Sequence, residues 1–389
     1  MSARARRWPL VLLLGGTLLL SGCGLFGGDE EEDPPAELLK FKPSLQLRKA
    51  WSARVGDGSE HLRLGLSPAT DGTLVYAAAH DGRVAAFEAG SGKRRWAAKT
   101  RLPLSGGPAT DGELVVAGSS NGEVIALRAA DGKRRWVGRV SSEVLAAPAI
   151  GGGLVLVRGV DGKLTALRQD DGSEAWFVQQ SVPRLSVRGT GAPVIAGNVV
   201  LAGFDNGKVA AYEMSDGTLL WETLLTPPRG RTEVDRLVDI NATIRVVGED
   251  VYVVGYHGSV ALLALESGQV LWARELSSYN EFALDFLNIY VSTETSEVVA
   301  LSRRNGREAW RIATLLNRDV SGPAAWKNSV VVGDFEGYLH WFNAANGELQ
   351  ARMRAGSKRI ALAPLVVGEL LVAQSEDGKL YAFSERGKR

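Results

Sequence analysis

The sequence predicts an all-β fold: a single eight-bladed β-propeller of four-stranded antiparallel blades, with its ring closed by both termini. Three observations predict it, namely a period of about 40 residues, short apolar runs within each period, and turn residues between the runs. The 389 residues include 46 glycines and are 45% apolar, which suits many tight turns around a large core. No segment shows sustained helical periodicity.

The period is set by two glycines ten residues apart and a tryptophan four residues after the second glycine. A sixth copy has Ser296 in place of the first glycine, and a seventh has Ala351 in place of the tryptophan. One tryptophan in the same slot of each copy predicts a wedge that packs between neighbouring sheets. The five full copies are Gly82, Gly92 and Trp96; Gly122, Gly132 and Trp136; Gly162, Gly172 and Trp176; Gly207, Gly217 and Trp221; and Gly258, Gly268 and Trp272.

One copy, residues 108–136, shows what each period builds. Apolar runs at 114–118 and 124–127 flank an Asn-Gly turn, and a third run begins at Arg134. Together with the stretch around Pro108, these runs make four antiparallel strands. Such a sheet cannot bury both of its faces alone, so the copies are expected to stack around an axis.

The two ends of the chain are expected to share one blade. The eighth copy begins at Gly378 and runs out before its fourth strand, while a strand-like segment around Trp51 belongs to no complete copy. We therefore predict that this segment completes the eighth blade, which makes residues 47–389 one ring.

Residues 1–22 have the pattern of an export signal, with three arginines followed by an apolar run too short to span a bilayer. The run ends in Leu-Ser-Gly-Cys at 20–23, which resembles the lipobox of bacterial lipoproteins, and Cys23 is the only cysteine. The resemblance implies cleavage before Cys23, lipidation of that residue, and sorting to the outer membrane because Gly24 follows it. An ordinary secretory peptide with a coincidental cysteine is the alternative.

Residues 23–46 then form the lipidated cysteine and an acidic, proline- and glycine-containing segment. This composition predicts a flexible tether that holds a periplasmic body away from the membrane. The alternative is a dedicated acidic binding site.

Two connections between copies are longer than the rest, and insertions in a repeat fold often carry its function. Both join an outer strand to the next blade, at the third-to-fourth and fourth-to-fifth junctions, so we expect one contiguous patch. The distance is 12 residues from Trp96 to Pro108 and from Trp136 to Pro148, 17 from Trp176 to Pro193, and 23 from Trp221 to Ile244.

The insertions mix apolar and charged residues, which favours a protein-binding surface over a small-molecule pocket. The alternative is that the loops cover the central channel through internal ion pairs. The candidate partner-binding residues are Leu185, Val187 and Arg188 in the first insertion, and Arg236, Asp239 and Asn241 in the second.

Several other function classes find no support in the sequence. The formal net charge of +1 lacks the basic excess of a nucleic-acid binder. The four histidines are scattered, no metal-ligand spacing or nucleophile motif occurs, and the aspartates before glycines serve turns. We expect no catalytic residue, no metal and no cofactor.

The repeat resembles that of pyrroloquinoline-quinone dehydrogenases, which also use a vicinal cysteine pair that this chain lacks. Lipobox, tether and single ring together are similar to the BamB family, the lipoproteins of the outer-membrane β-barrel assembly machine. The more specific points are residues 185–189, 233–239 and 333–339. The sequence departs from the family at Val187, where a leucine is usual, and at Asn241, where an aspartate is common.

The resemblance implies a non-enzymatic scaffold whose two insertions bind the periplasmic POTRA domains of BamA, with the contacts falling on Leu185, Val187, Arg188 and Asp239. It also implies membership of the Bam complex and assistance to the folding and insertion of β-barrel proteins, with unfolded outer-membrane proteins as a further class of partner. A quinone-dependent dehydrogenase and a periplasmic ligand-binding propeller remain the alternatives.

Overall fold

The computed structural model describes residues 34–58, 62, 64–186, 191–227, 231–232 and 237–387. Over these residues the chain forms 32 strands and no helix. The strands make eight four-stranded antiparallel sheets, which are the blades of an eight-bladed β-propeller. The predicted fold class is therefore confirmed.

The blades follow one another along the chain and are numbered in that order, starting with the sheet that contains β2. Blade one holds β2 (Ala69–Thr70), β3 (Leu74–Ala78), β4 (Arg83–Glu88) and β5 (Arg94–Lys99); blade two holds β6 (Leu104–Thr110), β7 (Leu114–Ser119), β8 (Glu123–Arg128) and β9 (Arg134–Arg139); blade three holds β10 (Ala149–Gly151), β11 (Leu154–Arg158), β12 (Lys163–Arg168) and β13 (Glu174–Gln179); blade four holds β14 (Val194–Ala196), β15 (Val199–Gly203), β16 (Lys208–Glu213) and β17 (Leu219–Leu224). Blade five holds β18 (Arg245–Val247), β19 (Asp250–Val254), β20 (Ser259–Ala264) and β21 (Val270–Glu275); blade six holds β22 (Ala283–Leu284), β23 (Asn288–Ser292), β24 (Val298–Ser302) and β25 (Glu308–Ile312); blade seven holds β26 (Ala324–Trp326), β27 (Ser329–Gly333), β28 (Tyr338–Asn343) and β29 (Leu349–Arg354); blade eight holds β30 (Leu365–Val367), β31 (Leu370–Gln374), β32 (Lys379–Glu385) and β1 (Leu47–Arg54).

The eighth blade joins the two ends of the chain. Its strand order is β1-β32-β31-β30, and β1 pairs antiparallel with β32 so that Trp51 lies opposite Ala382. The ring is thus closed by an N-terminal strand in the outermost position of the last sheet. This confirms the prediction made from the orphan segment around Trp51.

The core lies between neighbouring blades, where the two middle strands of each sheet are almost wholly buried. Both faces of these strands carry valine, leucine and alanine, because each face packs against another blade. Seven tryptophans on the outer strands extend this packing, and each indole N–H donates to a backbone carbonyl of the next blade. The pairs are Trp51 to Ala89, Trp96 to Ala129, Trp136 to Gln169, Trp176 to Met214, Trp221 to Leu265, Trp272 to Arg303 and Trp310 to Ala344.

The second glycine of each repeat is needed because a tryptophan from the preceding blade lies on it. At Gly172 the backbone has φ +75°, and an added Cβ would fall 2.5 Å from Cε3 of Trp136. Blade eight has no such turn because its last two strands come from opposite ends of the chain. This explains Ala351, which stands where a tryptophan would point towards that missing turn.

Part of the segment assigned to the tether lies on the ring. The backbone N–H of Ala36 donates to the carbonyl of Leu316 at 2.9 Å, and that of Ser44 donates to Gln350 at 3.0 Å. The Arg318 side chain returns a bond to the Ala36 carbonyl at 3.0 Å. Residues 35–46 therefore belong to the compact unit that begins at Pro35.

Candidate functional site

Two long loops connect blades three, four and five. The first loop, residues 180–193, runs from β13 to β14, and the second loop, residues 225–244, runs from β17 to β18. Their C-terminal ends touch, since the backbone N–H of Ala192 donates to Oγ1 of Thr243 at 3.3 Å. We call the surface formed by the two loops the loop surface.

Of the six candidate partner-binding residues, Leu185 is the one that the described structure places at the surface, with 45% of the residue exposed. A leucine held in a loop at this exposure offers an apolar anchor for a partner. Val187, Arg188 and Arg236 lie outside the described residues, as does the lipidation candidate Cys23.

The other two candidates, Asp239 and Asn241, are buried. The second loop turns inward here: the N–H of Tyr256 donates to the Asp239 carbonyl at 2.8 Å, and the N–H of Ile240 donates to Phe204 at 3.3 Å. Ile240 itself packs into the core between blades four and five. These contacts make Asp239 and Asn241 part of the base that supports the loop.

A buried ion pair lies in the same region, formed by Arg158 at the end of β11 and Asp205 after β15. Nη2 of Arg158 is 2.8 Å from Oδ1 of Asp205, and both side chains are more than nine-tenths buried. The guanidinium also donates to the carbonyls of Gly159 and Gly203, and it stacks 4.5 Å from the centre of the Phe204 ring. The pair therefore links blades three and four beneath the loops.

Sequence reasoning missed this pair. Asp205 precedes Asn-Gly in a turn, where aspartate usually caps the local backbone, and Arg158 ends an apolar strand as an exposed arginine would. A buried partner on another blade leaves no mark in the local pattern. The one available signal of a buried partner is Arg158 itself, a charged residue at the end of an otherwise apolar run.

Asp239 carries an electrostatic cost. Burial raises the pKa of its carboxyl to about 8, and the nearby Asp205 carboxylate adds to the rise, while Arg158 opposes it. Among the described residues, neither carboxylate oxygen of Asp239 has a hydrogen-bond partner. An ionised carboxylate without hydrogen-bond partners is costly in a protein interior, so burial favours the protonated form of Asp239 at the base of the loop surface.

The ring encloses a central cavity of about 440 Å³, which the ends of both loops help to line. The lining includes Ala192, Asn241 and Thr243 from the loops. The charged side chains of the lining are paired with each other: Arg245 lies 3.4 Å from Glu281, and Arg359 lies 3.8 Å from Glu376. The C-terminal ends of the loops thus border the channel, whereas Leu185 faces solvent.

Nothing in the described part of the chain resembles a catalytic metal centre, because no group of three or more His, Cys, Asp or Glu side chains converges there. The one buried histidine among these residues, His340, instead bonds Asp334 at 3.0 Å within blade seven. Within the same ranges, no helix is long and apolar enough to cross a bilayer.

Comparison with known proteins gives a consistent result. A family model described as "Outer membrane protein assembly factor BamB" matches residues 44–103 and 80–312. The chain is 44% identical over 380 residues to the protein of that name from Pseudomonas aeruginosa, covering 98% of this chain and 100% of the relative. It is 36% identical to the Escherichia coli K12 protein of the same name, covering 96% and 98%.

A solved structure agrees with the sequence relatives. The crystal structure of BamB from Moraxella catarrhalis superposes with a TM-score of 0.80 at 28% identity, covering 87% of this chain and 99% of that chain. The sequence relatives are named as assembly factors, which favours the non-enzymatic scaffold over the dehydrogenase alternative. The chain belongs to the BamB family of outer membrane protein assembly factors.

Proposed function

We propose that this protein is a periplasmic scaffold of the outer-membrane β-barrel assembly machine, which binds the POTRA domains of BamA through the loop surface. The observation that carries the proposal is the meeting of two long loops from adjoining blades, with the apolar side chain of Leu185 exposed on one of them. In this scheme Leu185, Val187, Arg188 and Arg236 contact the partner.

Asp239 and Asn241 take a supporting part. Because both side chains are buried, their contribution is to hold the second loop in the shape that presents its exposed residues. Substitution of either residue would then weaken binding through the loop conformation. This separates contact residues from positioning residues within the same set of candidates.

The attachment to the membrane is a further part of the proposal. Cleavage before Cys23 and acylation of that residue would anchor the ring on the periplasmic face of the outer membrane, since several acyl chains give stable binding. Anchoring confines the scaffold and BamA to the same surface, which raises their effective concentration for each other. The Bam complex would then fold and insert β-barrel proteins with the ring held beside it.

Site-specific photo-crosslinking in cells tests the proposal. A photoreactive residue at 185 is expected to crosslink to BamA. The same residue at Val137, which is 44% exposed on the outer strand of blade two, is the matched control and should give no such product. Equal crosslinking at both positions, or none at 185, would remove the loop surface from the account.

A further inference from the structure

We propose that the outer strands of blades four and five, β17 and β21, bind an extended polypeptide strand with alternating apolar side chains. Each stands last in its sheet, so within the described structure it is paired on one side only. The free side presents a row of backbone N–H and C=O groups, which another extended strand satisfies best. We call β17 and β21 the apolar edges.

At the two positions before the tryptophan, the apolar edges lack the charged side chains of some other outer strands, although β17 carries Glu222 and β21 carries Arg274 and Glu275 after the tryptophan. In blades one and two, both positions before the tryptophan are arginine, and charged side chains of this kind discourage pairing with foreign strands. Blade four instead has Leu219 and Leu220 there, and blade five has Val270 and Leu271. The two blades with an apolar pair at these positions are neighbours in the ring.

These side chains are exposed and do not contribute to the packing between blades. Leu220 is 46% exposed and Leu224 is 51% exposed, and both lie on the same face of β17 because side chains alternate along a strand. Glu222 lies between them on that face and is paired with Lys208 at 2.7 Å. In β21, Leu271 is 53% exposed. The opposite faces hold the tryptophans that pack on the next blade, so the exposed leucines are available to a partner.

The protein already places part of its own N-terminal segment against one outer strand, through a bend at Ser44 and Leu45. In blade seven, Leu349 occupies the first of the two positions, and the N–H groups of Ser44 and Leu45 both donate to the neighbouring Gln350 carbonyl, at 3.0 and 3.2 Å. Arg352 of the same strand donates to the Leu39 carbonyl at 3.0 Å. A free carbonyl on an outer strand of this ring therefore accepts backbone N–H donors from another segment of chain.

The position of the apolar edges gives the bound strand a role. β17 leads directly into the second loop, so a strand bound to it would lie beside the loop surface. The proposal that the apolar edges bind an extended strand rests on the structure of the edges alone. That the strand belongs to an unfolded outer-membrane barrel rests on the proposed function.

A peptide-binding experiment tests the inference. The probe is a fluorescent peptide of about ten residues, the length of a barrel strand, alternating valine and threonine between terminal lysines. A second peptide carries N-methyl groups on alternate residues, which removes the N–H donors of one edge and keeps the side chains. Binding to the chain from residue 24, which contains the whole ring, is measured by fluorescence anisotropy.

The protein variant replaces Leu220 and Leu271 with arginine. Its matched control replaces Phe286 and Leu287 with arginine, because these residues are 90% and 66% exposed and lie on the hairpin between β22 and β23 rather than on an outer strand. The edge variant should bind the peptide roughly tenfold more weakly, about 1.4 kcal/mol, while the control keeps wild-type affinity. Melting curves identify a variant that fails to fold; charges placed singly at 220 and at 271 then replace it.

Three results would overturn the inference: no binding by wild type, equal binding of the N-methylated peptide, or equal loss in the two variants. A dimer that the edge substitutions dissociate would assign the edges to a second copy and also overturn it. Affinity for a BamA POTRA fragment is measured in parallel. Peptide binding without POTRA binding would contradict the proposed function and support strand binding at the apolar edges. POTRA binding without peptide binding would support the proposed function and contradict strand binding at the edges.

Discussion

The indole ring of Trp51 lies on Gly92, and this contact joins the last blade of the ring to the first. An added Cβ at Gly92 would fall 2.6 Å from Cδ2 of Trp51. The indole N–H also donates to the carbonyl of Ala89 in the same turn, at 2.7 Å. Since β1 also pairs with β32, residues from both ends of the chain hold the closure of the ring.

Removal of β1 should therefore be far more damaging than removal of the segment before it. A chain that starts at residue 34 should keep the melting temperature of the chain that starts at residue 24. A chain that starts at residue 55 loses β1, exposes the edge of β32 and removes Trp51 from the seam. Thermal unfolding followed by circular dichroism compares them, and equal melting temperatures for all three chains would refute closure by the N-terminal strand.

Trp136 should be among the most costly single truncations. It is buried between blades two and three, and its indole N–H donates to the Gln169 carbonyl at 2.7 Å. Trp136→Ala should lower the free energy of unfolding by roughly 3–5 kcal/mol, as large core truncations do. Val137→Ala on the next, exposed position is the control and should stay within about 0.5 kcal/mol of wild type. Chemical denaturation measures both.

A pair of glycine substitutions separates backbone strain from overpacking. Gly172 and Gly153 have nearly the same φ, +75° and +78°, but a Cβ meets Trp136 at the first and nothing within 4 Å at the second. Gly153→Ala should cost about 1–2 kcal/mol for the left-handed backbone alone. Gly172→Ala should cost a further ~1–3 kcal/mol because the tryptophan must move. Equal losses in denaturation experiments would mean that the wedge contact contributes little.

Asp239 should make stability fall as the pH rises. Its pKa is raised to about 8 in the folded protein from 3.8, so between these values the folded state holds a proton that the unfolded state has released. Wild type then loses up to about 1.4 kcal/mol of stability per pH unit from this group. Asp239→Asn removes the titration, so its stability relative to wild type should increase from acidic to mildly alkaline pH. A difference that does not change with pH would show that Asp239 is ionised in the fold.

Much of the fold is readable in the sequence because the repeat is regular. The spacing of glycines and tryptophans predicts the number of blades, and the unpaired segment around Trp51 predicts the closure. The lengths of the connections after Trp176 and Trp221 likewise mark the two loops, whose ends meet at Ala192 and Thr243. Each of these signals is local in the chain, so no knowledge of distant contacts is needed.

Other features depend on contacts between residues far apart in the chain. The pairing of Arg158 with Asp205 joins two blades, and the burial of Asp239 follows from Ile240 entering the core between blades four and five. A sequence window around any of these residues resembles an exposed turn or strand end. The contact of residues 35–46 with blade seven is hidden for the same reason, because its partners, such as Leu316 and Gln350, lie near the other end of the chain.

The most direct test of the central claim is the binding of the chain from residue 24 to a BamA POTRA fragment, measured by calorimetry for wild type and Arg188→Glu. The account predicts that wild type binds and that the charge reversal weakens binding by at least about tenfold, with an unchanged melting curve. Normal affinity in the variant would contradict the loop surface as the binding site. Absence of binding by wild type would contradict the scaffold function itself.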